Sequence, residues 1–130
     1  MALSFSAHGK AYISVADSIM TIQSRGPWNV EYFTDMHSEI LEIIKKHSLT
    51  NFAVLLIPYG EAICVHEAMN YHISFLRKGS SNAVAINLSC CDTPLSTENM
   101  CRNIYEGAGL KHQFFYDNEQ AIDWLKKQNS

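Results

Sequence analysis

The sequence lacks several features that would place it in a familiar functional class. No run of apolar residues approaches the roughly 20 that a membrane-spanning helix needs. The basic residues are scattered and the formal net charge is −3, so the basic patch that drives nucleic-acid binding is missing. The first residues have neither the basic start nor the long apolar segment of a signal peptide. We therefore expect a cytoplasmic protein without a transmembrane segment or a nucleic-acid partner.

The cysteines do not form a recognisable framework. The four are Cys64, Cys90, Cys91 and Cys101, and none belongs to a CxxC pair. A cytoplasmic chain keeps such thiols reduced. The adjacent Cys90 and Cys91 are expected to be one exposed and one buried thiol, with a strained vicinal disulfide as the alternative. Neither these cysteines nor the histidines show the usual ligand spacings of zinc sites, so we expect no metal or cofactor.

The chain has what a single globular domain needs. It contains 130 residues, of which 47% are hydrophobic and 18% charged, and it shows no repeat, linker or low-complexity segment. Residues 1–130 are therefore predicted to form one domain. Alternating apolar residues predict strands at 3–8, 11–16 and 19–24, with Asp17 and Ser18 as the turn between the last two. These three strands make an antiparallel meander.

The rest of the chain alternates helices and strands. Helices are predicted at 30–47, at 65–78, up to about 106 and after Asp117, and strands at 52–57, 83–88 and 112–116. The third of these helices begins at either Thr93-Pro94 or Leu95-Ser96, and Gly107 and Gly109 end it. Right-handed crossovers make this half parallel. The prediction is an α/β fold in which an N-terminal antiparallel meander is followed by βαβαβα. The sheet is mixed, helices cover one or both faces, and the strand order is open.

The segment that joins the meander to the first helix has a local role for each residue. Gly26 and Pro27 favour a turn, because proline fixes its own backbone and restricts the residue before it. Asn29 is a good N-cap for the helix. Trp28 and Phe33 have the spacing of a hydrophobic staple across the helix start. This is strong information about architecture and little about chemistry.

Together these features resemble the STAS superfamily, and more narrowly small bacterial proteins related to the anti-sigma-factor antagonist fold (SpoIIAA-like). The likeness rests on the element order and on the segments 7–9, 26–31, 60–61, 67–68 and 115–125. Antagonists of this superfamily carry a phosphorylated Ser or Thr where the helix after the central strand begins. In this sequence the loop 58–67 contains neither residue. The resemblance therefore implies a partner-binding or regulatory surface here, but not control by phosphorylation.

The loop after the central strand is the predicted binding site. Ligands of α/β sheets favour the carboxyl ends of strands, near helix N-termini. Tyr59 supplies an aromatic face, Gly60 allows close approach and Glu61 supplies charge, and Cys64 and His66 follow at the helix start. The alternative is an ordinary connection in which Gly60 merely permits a turn.

A small enzyme using Glu61, Cys64 or His66 is the second functional hypothesis. A helix N-terminus lowers a thiol pKa, and an imidazole nearby could serve as a base. However, residues two apart at a helix start do not face each other, and no third group orients them. No catalytic residue is therefore assigned. His37 and His72, on the inner stripes of two helices, are interpreted as hydrogen-bonded core or boundary residues.

The function that follows is a non-enzymatic binding or regulatory module. Its partner is a protein or a small apolar or amphipathic ligand, because this fold can hold a pocket between its sheet and helices. The open edge of the early hairpin can also pair with a second copy, so a homodimer is a further expectation.

Overall fold

The computed structural model describes residues 9–130. The predicted first strand, 3–8, and two residues of the 7–9 segment lie outside the described residues. The elements are β1 (Lys10–Ala16), β2 (Ile19–Arg25), α1 (Val30–Lys46), β3 (Ala53–Tyr59), α2 (His66–Arg77), β4 (Val84–Asn87), α3 (Pro94–Ala108), β5 (His112–Phe115) and α4 (Asn118–Asn129). The predicted alternation of strands and helices is confirmed, and α3 takes the first of its two predicted starts.

The strands lie side by side in the order of the sequence, β1-β2-β3-β4-β5, which the sequence had left open. β1 is antiparallel to β2 and the other neighbours are parallel, so the mixed sheet is confirmed. From β2 to β5 each crossover steps in the same direction. Right-handed crossovers of that kind place α1, α2 and α3 on one face of the sheet. After β5, α4 returns across the other face and packs on β3 and β4.

The hairpin of β1 and β2 forms around the predicted turn. Ile13 lies opposite Ile22, and Val15 lies opposite Met20. The turn residues 17 and 18 both have positive φ, 54° and 60°. Two such residues make the kind of turn whose twist matches that of the flanking strands. The hairpin therefore directs these four side chains to one face, where they contact the core under α1.

The two faces of the sheet are packed differently. Between the sheet and α1–α3 lies a core of large side chains that includes Met20, Phe33, Leu56 and Tyr105. On the other face α4 packs against a smaller core in which many residues are alanine. Its buried members are Ile19, Ala53, Leu55, Ile57, Ala83, Ala85, Ala121 and Leu125. Small side chains let α4 approach the strands closely.

The junction before α1 forms as predicted. The Asn29 side chain accepts a hydrogen bond from the Tyr32 backbone N–H at 2.9 Å, and the Trp28 and Phe33 ring centroids are 6.1 Å apart. A glycine is needed at position 26 for a second reason besides the turn. A Cβ atom at this position would lie 2.2 Å from the Glu61 carbonyl oxygen. The absence of a side chain at Gly26 therefore lets two backbone segments meet.

One predicted helix end is wrong. Gly107 does not stop α3, which continues to Ala108. Gly109 forms the C-cap with a φ of 67°, in the left-handed region that glycine adopts without strain. The helix continues because glycine inside a helix costs only about 1 kcal/mol relative to alanine. Packing of α3 against α2 and the sheet outweighs that cost.

Candidate ligand-binding cavity

A cavity of about 440 Å³ lies between the sheet and α1–α3. Its volume falls in the range of roughly 300–1,000 Å³ that is usual for small-molecule sites. The walls are mostly aliphatic, aromatic and methionine side chains. Those that the strands and Trp28 contribute are Met20, Ile22, Trp28, Val54, Leu56 and Val84; those of the helices include Phe33, Met36, Ile40, Phe75, Cys101, Ile104 and Tyr105.

The cavity opens where α1 and α2 end. Four of its lining residues are exposed, namely Leu41, Lys78, Gly79 and Ser80. Leu41 lies next to the buried stripe of α1 that contains Phe33, His37 and Ile40, and it is 56% exposed. The helical period brings it to the edge of that stripe, beside the opening. The mouth therefore lies at the end of the sheet where the parallel strands begin.

Most polar groups along the wall have partners within the protein. The hydroxyls of Ser24 and Tyr32 share a hydrogen bond. The Trp28 indole N–H donates to the Arg25 carbonyl at 3.1 Å. Burial raises the pKa of Tyr32 to about 12, so its hydroxyl stays protonated. These pairings leave the wall near Ser24 and Trp28 effectively apolar.

Two histidines meet beside the cavity. His37 Nε2 lies 2.7 Å from His72 Nδ1, and the rings stack between Phe33 and Phe75. Both histidines are more than nine-tenths buried, and His72 lines the cavity. Burial lowers the pKa of His37 to about 4 and that of His72 to about 3, where the neighbouring His37 adds to the effect. Both rings are therefore neutral near pH 7. The interpretation of each as a hydrogen-bonded core residue agrees with this geometry.

The predicted loop site lies at the other end of the sheet. The Gly26 N–H donates to Tyr59 O at 3.2 Å, and the Trp28 N–H donates to Ile63 O at 2.8 Å. On the other side Gly60, with a φ of 64°, bridges to Cys91. The backbone of the loop thus continues the sheet beyond β3.

The five predicted site residues share this end of the sheet but do not line the cavity. Tyr59, Gly60 and Cys64 are half-buried, whereas Glu61 and His66 are exposed. The loop and the cavity meet at Trp28, whose backbone holds the loop and whose ring forms part of the wall. Binding at the loop itself remains a prediction.

Cys64 has the environment of a structural thiol. Its Sγ donates to the Met100 sulfur at 3.5 Å, and burial raises its pKa to about 11. A catalytic cysteine needs a pKa that is lowered, not raised. His66 is the first residue of α2 and its side chain is exposed. The geometry therefore gives the cysteine–histidine hypothesis no activated nucleophile.

Residues 9–130 contain no cluster of metal ligands, no disulfide and no membrane-spanning helix. In this part of the chain no three His, Cys, Asp or Glu side chains are grouped so that they could hold a metal ion. All four cysteines are free thiols, with Cys90 exposed and Cys91 half-buried. No helix there combines the length and the apolar character needed to cross a bilayer.

Two solved structures resemble the chain over nearly its whole length. One is an uncharacterised protein of the DUF3478 family from Shewanella loihica, described as having a SpoIIAA-like fold. It is 17% identical with a TM-score of 0.63, and the match covers 96% of this chain and 99% of that one. The other is an anti-sigma factor antagonist from Mycobacterium paratuberculosis, 9% identical with a TM-score of 0.56, covering 95% and 99%.

These likenesses define the class of fold. The chain has a mixed α/β architecture that both of these structures share. Within that class its fold is SpoIIAA-like, as the sequence resemblance implied. No family model and no curated protein sequence matches the chain.

Proposed function

We propose that the protein is a non-enzymatic binding module that holds a small amphipathic molecule in the cavity between its sheet and α1–α3. The cavity itself carries this proposal. At about 24 cal/mol per Å³, an empty closed void of this size would cost about 11 kcal/mol. That is comparable to the entire stability of a typical domain. A space that large with apolar walls and an open mouth suits a ligand better than a packing defect.

The ligand can be sought in the purified protein. Native mass spectrometry of protein isolated under mild conditions is expected to show a bound small molecule, and solvent extraction then releases it for identification. Val54→Phe places a larger side chain on the β3 wall of the cavity, so the adduct should disappear. Val65→Phe is the matched control, because Val65 is 65% exposed and does not line the cavity.

Binding can also be measured after bound molecules are stripped. A ligand that binds only the folded state at 100 times its Kd stabilises that state by about 2.7 kcal/mol. The stripped proteins are therefore heated with medium-chain amphiphiles that have neutral, negative or positive heads. At least one amphiphile should raise the thermal midpoint of the parent and of Val65→Phe, and it should leave that of Val54→Phe unchanged. The proposal fails if no adduct is found and no amphiphile shifts the midpoint.

A protein partner at the loop 58–67 is the second candidate. It is favoured by three exposed apolar side chains at that end of the sheet: Ile63 is 38%, Val65 65% and Leu95 75% exposed. The fold shared with an anti-sigma factor antagonist adds to this hypothesis. The Val65→Asp, Leu95→Asp double variant should abolish retention of a protein partner that the parent captures specifically. Equal retention by both would exclude this surface.

A cytoplasmic location and a homodimer remain predictions that accompany these proposals. In the described part of the chain β1 pairs on one side only, with β2. Lysine at Ser14, an exposed position on β1, should block pairing of that edge with a second copy, because charged side chains on an edge strand oppose such pairing. Sedimentation analysis of parent and Ser14→Lys compares the two masses directly. A monomeric parent would refute the dimer.

A further inference from the structure

Two polar atoms on the cavity wall belong to buried residues and have no hydrogen-bond partner within residues 9–130. They are the Tyr105 hydroxyl and Nε2 of His72. Tyr105 is 4% exposed and His72 is 6% exposed. Every side-chain N or O atom that is sealed from solvent in the described part has a hydrogen-bond partner. These two atoms therefore face open space, and the cavity is the open space that both residues line.

Such atoms are unusual in a folded protein. Within the protein no group reaches them, so they can bond only to water or to a ligand that enters the cavity. Two of them on the wall of one apolar cavity call for a ligand that brings its own polar atoms. Ser24 and Trp28 do not need a hydrogen bond from a ligand, because their polar side-chain atoms already have partners within the protein.

The chemistry of the two atoms defines what they can accept. Burial raises the pKa of Tyr105 well above its ordinary value, so its hydroxyl remains able to donate or accept. His72 is neutral, because burial lowers its pKa to about 3. One proton is shared between His37 Nε2 and His72 Nδ1, and its position decides whether His72 Nε2 donates or accepts. Both a hydroxyl and a carbonyl oxygen can therefore be matched.

Charge excludes the other classes of head group. Among the described residues that line the cavity, Lys78 alone is charged, and it lies exposed at the mouth. A carboxylate or ammonium group beside Tyr105 would be desolvated without a counter-charge, which costs several kcal/mol. The mouth is also a poor anion site, because the negative end of the α2 dipole lies there beside Lys78.

We propose that the cavity selects an uncharged amphiphile whose hydroxyl or carbonyl oxygen enters the cavity and bonds to Tyr105, with His72 as the second polar anchor. This inference rests on the proposed function and specifies its ligand class. The apolar part of the ligand occupies the remaining wall, which aliphatic, aromatic and methionine side chains form. The recognised feature is a neutral oxygen on an apolar skeleton.

The test compares three ligands of equal chain length, decanol, decanoate and decylamine, by calorimetric titration of stripped protein. Decanol should bind at least about tenfold more tightly than either charged ligand. Tyr105→Phe should weaken decanol binding by about tenfold, the effect of one buried hydrogen bond. Because the hydroxyl has no partner in the free protein, Tyr105→Phe should not lower the thermal midpoint. Tyr116→Phe is the matched control, since Tyr116 is 59% exposed and does not line the cavity.

The outcomes separate the two proposals. Equal or tighter binding of a charged ligand, or decanol binding that Tyr105→Phe leaves unchanged, would overturn this inference while the cavity remains a binding site. A lower thermal midpoint for Tyr105→Phe without ligand would show that the hydroxyl has a structural partner, and would also overturn it. If none of the three ligands binds the parent and no adduct is found in purified protein, the proposed function fails as well.

Discussion

The hydrogen bond between His37 Nε2 and His72 Nδ1 joins α1 to α2 across 35 residues of sequence. It fixes the distance between the two helices that flank the cavity mouth. Protonation of either ring adds a charge in a buried site, where desolvation opposes it. The pair therefore links the packing of these helices to pH.

We expect the free energy of unfolding to fall with acid below the ordinary histidine pKa of about 6.5. The pKa values are about 4 for His37 and about 3 for His72 in the folded protein, so only the unfolded chain binds the protons above those values. The stability is complete above pH 6.5 and is lost as the pH falls from there towards 4 and then 3. Denaturant unfolding at a series of pH values measures this dependence.

The His37→Leu, His72→Leu double variant should show a flatter pH profile over the same range. His66→Gln is the control, because His66 is exposed and should leave the profile as it is. If the double variant is too unstable to measure, proton NMR of the parent gives the answer. Imidazole signals of His37 and His72 that titrate near neutral pH would contradict the prediction.

Gly26→Ala should destabilise the protein by about 1–3 kcal/mol, the usual cost of overpacking. The added Cβ would meet the backbone of Glu61 and Ala62, at 2.2 Å and 2.7 Å, and neither segment can rotate away. Gly107→Ala is the control inside α3, where the nearest atom is a flexible Ile73 methyl at 3.2 Å and alanine favours the helix. Chemical denaturation compares the two; equal stability of both variants would show that the junction tolerates a side chain.

Cys64 should react slowly with iodoacetamide near neutral pH. A pKa of about 11 in place of 9.0 reduces the thiolate fraction about a hundredfold. The greater nucleophilicity of a more basic thiolate recovers about tenfold, which leaves a net slowing of about tenfold before burial is considered. Peptide mapping after timed alkylation should show the exposed Cys90 modified first. Faster labelling of Cys64 than of Cys90 would revive the enzyme hypothesis.

Removing the α1 cap with Asn29→Ala should cost about 1 kcal/mol of stability. The side chain satisfies the Tyr32 N–H, which has no partner within the first turn of the helix. Asn29→Asp retains an acceptor and should preserve most of the stability. Thermal unfolding of the two variants distinguishes the hydrogen bond from the simple loss of a side chain, and equal midpoints would refute the capping role.

The sequence predicted what depends on neighbours along the chain. The cap at Asn29, the staple of Trp28 and Phe33, and the alternation of strands and helices are local relationships, and the structure confirms them. The sequence alone could not give the order of the strands in the sheet, because that order depends on which surfaces pack after the helices form. The family resemblance supplied the fold, and the solved structures support it.

The cavity could not be derived in the same way. A residue that lines an empty space and a residue that fills a core have the same apolar pattern, and only the packed volume tells them apart. The contact between His37 and His72 could not be predicted, because nothing in the sequence indicates that their helices are adjacent. Their aromatic neighbours at helical spacing, Phe33 and Phe75, were the available signal. Tyr105 carried no signal, since a tyrosine on an inner stripe usually finds a partner.

The alanine-rich contact of α4 with β3 and β4 gives the sheet one solid side and one hollow side. If a ligand enters the cavity as proposed, we expect the accompanying movement in α1–α3, because α4 packs directly against the central strands. Amide hydrogen exchange should show this division as two different exchange rates within one molecule. The amides of β3 and β4 should exchange only on global unfolding, whereas those at the ends of α1 and α2 should exchange faster, by local opening at the mouth.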